Sequence, residues 1–170
     1  MFVLGVDPGL TRCGFGLVQG SLEGPETFGA RRAGTIETAH TLAVELRLRQ
    51  LLEEFSTLLD ELRPDAVSVE KVFHSRNAKT VIGVAQASGV VIALAGAREI
   101  PVRQFTAQQV KLAVTGYGAA KKPQVQAMVA RHCRLAQIPD PPDAADALAL
   151  AITYFSIERT ERRMLVGDLA

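Results

Sequence analysis

Phe2-Val3-Leu4-Gly5-Val6-Asp7-Pro8-Gly9 opens the chain with a short apolar run that stops on an acid and a proline–glycine turn. A run of this length, punctuated this way, reads as a strand running into a tight turn. Residues 14–18 alternate and supply a hairpin partner, and residues 28–36 a third strand. Over residues 41–62 apolar side chains recur at 42, 46, 48, 51, 52, 55, 58, 59 and 62 with charges opposite, the period of an amphipathic helix. Arg63-Pro64-Asp65 ends it, since proline cannot continue a helix and restricts the residue before it. Ala66-Val67-Ser68-Val69-Glu70 then alternates as a strand and again stops on an acid.

Residues 80–97 are rich in Ala, Gly, Ser and Val with almost no charge, too long for one strand, and predict a helix buried nearly all round. Residues 101–105 form another strand. Thr106-Ala107-Gln108-Gln109 carries the capping-box pattern of a helix reaching Thr115, and Gly116-Tyr117-Gly118 breaks it. Pro123 suits the first turn of a helix to about Leu135. Residues 139–142 read as a rigid linker and residues 143–155 as the last helix. The tail after Ser156 shows no strong stripe and is expected to be loosely ordered, which divides the chain into a domain over 1–156 and a flexible tail over 157–170. Strands alternating with helices after an initial hairpin predict an α/β fold, a mixed five-stranded sheet with flanking helices.

The composition fits one globular domain: 170 residues, 48% apolar and 22% charged. No apolar run is long enough to span a bilayer, and Met1 leads straight into the first strand with no basic segment or cleavage site, so a cytoplasmic location with no membrane partner is expected. Cys13 and Cys133 lack neighbours in zinc-site spacing and read as inert, reduced core thiols. The net charge of +1 conceals a segregation. Residues 71–134 carry ten basic side chains and one acid, whereas residues 37–70 carry eight acids and three arginines. A chain divided this way can offer a basic face to phosphate.

Against that basic background, four acids stand where chemistry would use them. Asp7 and Glu70 close strands, at the sheet edge where α/β folds place their sites. Asp143 and Asp146 are three residues apart and share one face of the last helix's first turn. Each has an ordinary alternative: a turn residue, an exposed strand end, or a first-turn acid favoured by the helix dipole. Together they are harder to explain that way, because Asp146 is a single acid within Ala144-Ala145-Asp146-Ala147-Leu148-Ala149-Leu150 and would carry a desolvation cost unless paired or metal-bound. Clustered carboxylates suit Mg²⁺ or Mn²⁺, and two such ions roughly 4 Å apart can activate water and neutralise a leaving oxygen in phosphodiester hydrolysis.

Gly5-Val6-Asp7-Pro8-Gly9 with Gly14-Phe15-Gly16, Val69-Glu70-Lys71-Val72-Phe73 with Asn77, Gln109-Val110-Lys111, the loop from Gly116 to Lys122, and Asp143-Ala144-Ala145-Asp146 with Ala147-Leu148-Ala149 follow one another at spacings that resemble the RuvC family of Holliday-junction resolvases. The resemblance runs from about residue 2 to 155 and implies a ribonuclease-H-like fold. It implies that Asp7, Glu70, Asp143 and Asp146 are the catalytic, metal-binding acids, holding two Mg²⁺ per subunit with Mn²⁺ as a substitute, Asp7 being shared. It also implies that Lys111 and Lys122 contact phosphate near the site and that Phe73 stacks on a base at the crossover. Tyr117 is a second candidate stacker, and Arg76, Lys79 and Lys121 are further candidate DNA contacts. His74 is the histidine nearest the site, though a lone histidine more often packs or faces solvent, and Lys71 has no reading. The implied protein is a homodimer, since one chain holds one acid cluster and two strands must be cut. Residues 80–97 are the candidate dimer surface, and a branch-migration helicase of RuvA and RuvB is the implied partner.

Three other readings share part of this pattern. A ribonuclease-H-like RNA-processing nuclease would use the same acids. An actin-like sugar kinase shares the Asp7-Pro8-Gly9 turn but needs a second nucleotide-binding lobe that 170 residues do not hold. A non-catalytic DNA-junction binder has no reason to set acids inside a basic region.

Overall fold

The computed structural model describes residues 1–24, 26–72 and 78–167, with the side chains of 78–80, 166 and 167 outside the description. Five strands form one sheet: β1 (Phe2–Asp7), β2 (Arg12–Gln19), β3 (Gly29–Glu37), β4 (Ala66–Glu70) and β5 (Val102–Phe105). Their order is β3-β2-β1-β4-β5. β1, β2 and β3 pair antiparallel as a meander, while β4 and β5 add in parallel on the other side of β1. The parallel pairs need crossovers, which α1 (Val44–Leu62) and α2 (Ala78–Gly96) provide. α3 (Ala107–Thr115), α4 (Lys122–His132) and α5 (Pro142–Gly167) follow. The expected mixed five-stranded α/β architecture is the one observed.

Strand alternation sorts the side chains onto two faces. Leu4 and Val6 of β1 and Val67 and Val69 of β4 join the core beneath α1 and α2. Val3 and Ala66 face the other way, into the core formed with α3, α4 and α5. Counting by two from Val3 and Ala66 reaches Asp7 and Glu70, so both acids end on the α5 face of adjacent parallel strands.

α5 lies directly on that face because the strands carry glycine where it crosses. A Cβ built on Gly5 would lie 1.9 Å from the carbonyl oxygen of Ala147, and one on Gly14 would lie 2.3 Å from that of Asp143. Gly5 pairs with Gly16, and Asp7 with Gly14, so the bare backbone forms a contiguous seat. The Ser68 hydroxyl donates to the Leu150 carbonyl at 2.8 Å and pins the helix from β4.

Several boundaries differ from the sequence reading, each for a tertiary reason. α1 begins at Val44, and Leu42 and Leu46 of the expected stripe are exposed while Arg47 is buried. The Arg47 guanidinium donates to the Thr38 and Thr11 hydroxyls at 2.9 and 2.6 Å, so the helix start closes on two loops through polar groups. Arg63, at φ +44°, ends α1 by donating its N–H to Leu59 before Pro64. α2 is not buried nearly all round: Ala87, Val91 and Ala95 pack inward, whereas Ile82 is 58% exposed and Ala85, Gly89 and Ala93 also face outward. α4 stops at His132 and not Leu135. α5 does not end at Phe155 but continues to Gly167. That extension is tied down by Arg103, which bonds Glu158 and reaches Glu161 at 2.7 and 2.8 Å, and by buried Arg159, which donates to the Ser21 carbonyl. Cys13 and Cys133 are buried, free thiols whose pKa values burial pushes up to about 12 and 11, as inert core thiols require.

Candidate active site

β1 and β4 bring Asp7 and Glu70 side by side, and the first turn of α5 lowers Asp143 and Asp146 onto them. One carboxylate oxygen from each of Asp7, Asp143 and Asp146 lies within 4.8 Å of the others. Glu70 shares a hydrogen bond with Asp7. Desolvation first, and then the charges of Glu70, Asp146 and Asp143, push the Asp7 carboxyl up to about 8. Burial also raises Glu70. Such a cluster resists full ionisation without a compensating cation, and its oxygen-only donors match a hard divalent ion.

Cationic side chains stand around the acids. Lys122, the first residue of α4, places Nζ 2.5 Å from Asp146 Oδ2. Arg12 donates to Asp143 at 3.3 Å and to Glu37 at 3.2 Å. A pocket of about 270 Å³ is lined by Asp7, Glu70 and Asp146 together with Lys111 and Lys122. Val110 and Val125 make part of the wall apolar. Thr106 caps α3 through the expected box, its hydroxyl accepting from the Gln109 N–H, and this fixes the helix that carries Lys111. Gly116, at φ +74°, ends α3 and turns the chain toward α4.

The structure therefore gathers Asp7, Glu70, Asp143, Asp146, Lys111 and Lys122 in one place. Tyr117 is 63% exposed on the loop between α3 and α4, and Lys121 occupies the exposed N-cap position of α4, where its N–H donates to Gln124 Oε1. Phe73, His74, Arg76 and Asn77 lie outside the described residues; Lys79 lies on α2 with its side chain outside the description. The basic surface is smaller than the count suggested, because Arg98 pairs with Asp60 and Arg103 with Glu158 and Glu161. Arg12 was missed: its place two residues before Gly14 on an α5-facing strand was the available signal. Gly5, Gly14 and Gly16 also carried a close-approach signal, as glycine inside a strand often does.

The model of the crossover junction endodeoxyribonuclease RuvC family matches residues 3–154. This chain belongs to the RuvC family. It is 50% identical over 154 residues to the crossover junction endodeoxyribonuclease RuvC of Syntrophomonas wolfei, covering 91% of this chain and 88% of that one. The Frankia alni RuvC is 51% identical, with 91% and 77% covered. Among solved structures, Thermus thermophilus RuvC in complex with a Holliday junction substrate superposes with a TM-score of 0.88 at 32% identity, over 95% of this chain and 96% of that one. RuvC membership makes the chain a nuclease of the hydrolase class and its sheet a ribonuclease-H-like one. Among the described residues no helix is long and apolar enough to cross a membrane.

Proposed function

We propose that this chain resolves four-way DNA junctions in recombination and repair, as a homodimer that makes two symmetric nicks. The observation that carries the reading is the convergence of Asp7, Asp143 and Asp146 within 4.8 Å, joined by Glu70, beside a pocket that Lys111 and Lys122 also line. On this reading Asp7, Glu70, Asp143 and Asp146 hold two Mg²⁺, with Mn²⁺ able to substitute. The bound ions would supply an activated water and charge neutralisation at the leaving 3′ oxygen. Asp7 faces all three other acids and is the natural shared ligand. Lys111 and Lys122 bind the phosphates beside the cut. Tyr117 and Phe73 offer flat rings to unstacked bases, and Arg76, Lys79 and Lys121 extend the contact along the backbone.

The second active site belongs to a second copy. The outward stripe of Ile82, Ala85, Gly89 and Ala93 on α2 is small, apolar and spaced for helix contact, which supports this face as the dimer surface. The family reading adds work beside a branch-migration helicase of RuvA and RuvB, in the cytoplasm where the DNA is.

A labelled four-way junction, a linear duplex of the same sequence and a folded RNA, each with and without Mg²⁺, test the proposal. Paired nicks at symmetric positions, in the junction and with Mg²⁺, are expected. Preferred cutting of the RNA would favour the RNA-processing reading. Tight junction binding without cleavage in Mg²⁺ or Mn²⁺ would make the chain a binder.

A further inference from the structure

We propose that Arg12 is a positioning residue of this site, holding the Asp143 carboxylate in place by bridging it to Glu37. The inference rests on the reading of Asp143 as a metal ligand. Alternation along β2 puts Arg12, Gly14 and Gly16 on the face that α5 covers. Gly14 lies against the Asp143 backbone and Gly16 against Leu148, so neither offers a side chain to the helix start. Arg12 is therefore the β2 side chain that reaches the first turn of α5. Its cross-strand partner is Glu37, the last residue of β3. One guanidinium spans the two acids, NH1 on Asp143 Oδ2 at 3.3 Å and Nε on Glu37 Oε1 at 3.2 Å.

Arg12 and Glu37 are both more than half exposed, and exposed pairs add little to stability. Fold stability is thus a poor reason for the arrangement, whereas orientation of Asp143 is a good one. The planar fork fixes two carboxylates in a defined relation, which an ammonium cannot do. The same positive charge beside a ligand oxygen opposes a divalent ion. Removing Arg12 should therefore act in opposite directions on metal affinity and on rate, a pattern that loss of packing does not produce.

The test uses the full chain as wild type, Arg12→Gln and Arg12→Lys. Mn²⁺ affinity is measured calorimetrically without DNA, and single-turnover junction cleavage is followed up to saturating Mn²⁺. Arg12→Gln should bind Mn²⁺ several-fold more tightly, yet cleave at saturation up to about 10²-fold more slowly, the scale of a misplaced catalytic group. Arg12→Lys should keep near wild-type Mn²⁺ affinity, because the charge stays, and still cleave slowly. A wild-type rate at saturation in Arg12→Gln overturns the proposal, as does unchanged Mn²⁺ affinity in that variant. Weaker junction binding with a salt slope reduced by about one, at normal Mn²⁺ affinity, would assign Arg12 to a phosphate instead. If wild type itself neither binds Mn²⁺ nor cleaves, the metal-site reading fails; if wild type does both and the variants match it, the Arg12 inference alone fails.

Discussion

Helices α5 and α2 lie on opposite faces of the sheet and share a vocabulary of alanine and branched aliphatic residues. α5 from Ala144 to Ile152 is covered on every side except at Asp146, by sheet backbone below and by α3 and α4 above. α2 is covered along one stripe and bare along another, where Ile82 is 58% exposed. The difference teaches what each helix is for. A helix enclosed by its own chain can carry a carboxylate only where something compensates the charge, and Asp146 has Lys122. A helix of similar character left half bare is the face proposed above for a second copy.

The sharpest way to break the contrast is to neutralise the acids. Asp146→Asn or Asp7→Asn should lower junction cleavage by about 10³-fold or more, since charge stabilisation by a metal is worth several kcal/mol and each 1.36 kcal/mol is tenfold. Junction binding, carried mainly by phosphate contacts, should survive in a gel-shift measurement. Cleavage at the wild-type rate by either variant would remove that acid from the site.

Next in size is the seat of α5. Gly5→Ala forces a methyl into the Ala147 carbonyl, 1.9 Å from the built position, and should cost about 3 kcal/mol or more, the upper range for overpacking. The melting temperature reads this directly. A variant as stable as wild type would mean that α5 can lift off the strands.

The bare face of α2 should respond in assembly and not in folding. Ile82→Glu is expected to turn the proposed dimer into a monomer by analytical ultracentrifugation, with its melting temperature nearly unchanged in the monomer. An intact dimer would place the interface elsewhere.

A further effect should follow pH in metal-free protein. Asp7 is raised from its ordinary value to about 8, so the folded state holds that proton more tightly than the unfolded chain does. The sign is the reverse of a salt-bridged acid: stability declines as pH rises from about 4 to the raised value of about 8. Melting in chelator should therefore fall over that window in wild type and fall less in Asp7→Asn. Added divalent ion should restore more stability at the alkaline end. Equal slopes in the two proteins would sink the account. The smallest change is Gly89→Ala, where a Cβ meets nothing within 4 Å; it should stabilise the protomer by about 0.5–1 kcal/mol through helix propensity, seen in chemical denaturation.

Period-two strands and strand-end acids made Asp7 and Glu70 legible, because alternation and a closing acid are local facts. The i, i+3 spacing did the same for Asp143 and Asp146. Cover is not local, which is why the outer stripe of α2 went unseen: alanine and glycine look alike inside and outside. The length of α5 was hidden too, since Glu158, Glu161 and Arg159 find their partners in Arg103 and Ser21, far along the chain. Arg98 and Arg103 counted toward a basic face but are held by acids outside the pocket that Lys111 and Lys122 line, and only their three-dimensional placement could tell them apart.

The bare seat under α5 has one more consequence. Asp7 stands on the sheet and Asp146 on the helix, and at Gly5 of β1 and Gly14 of β2 sheet and helix touch backbone to backbone with no side chains between them. A side-chain layer behaves like a cushion, with rotamers that shift when a neighbour changes size. Main chain on main chain behaves like a machined stop. The gap across the four acids is therefore insulated from drift in the rest of the core, and a lineage that needed a wider gap would have to move the whole helix at once.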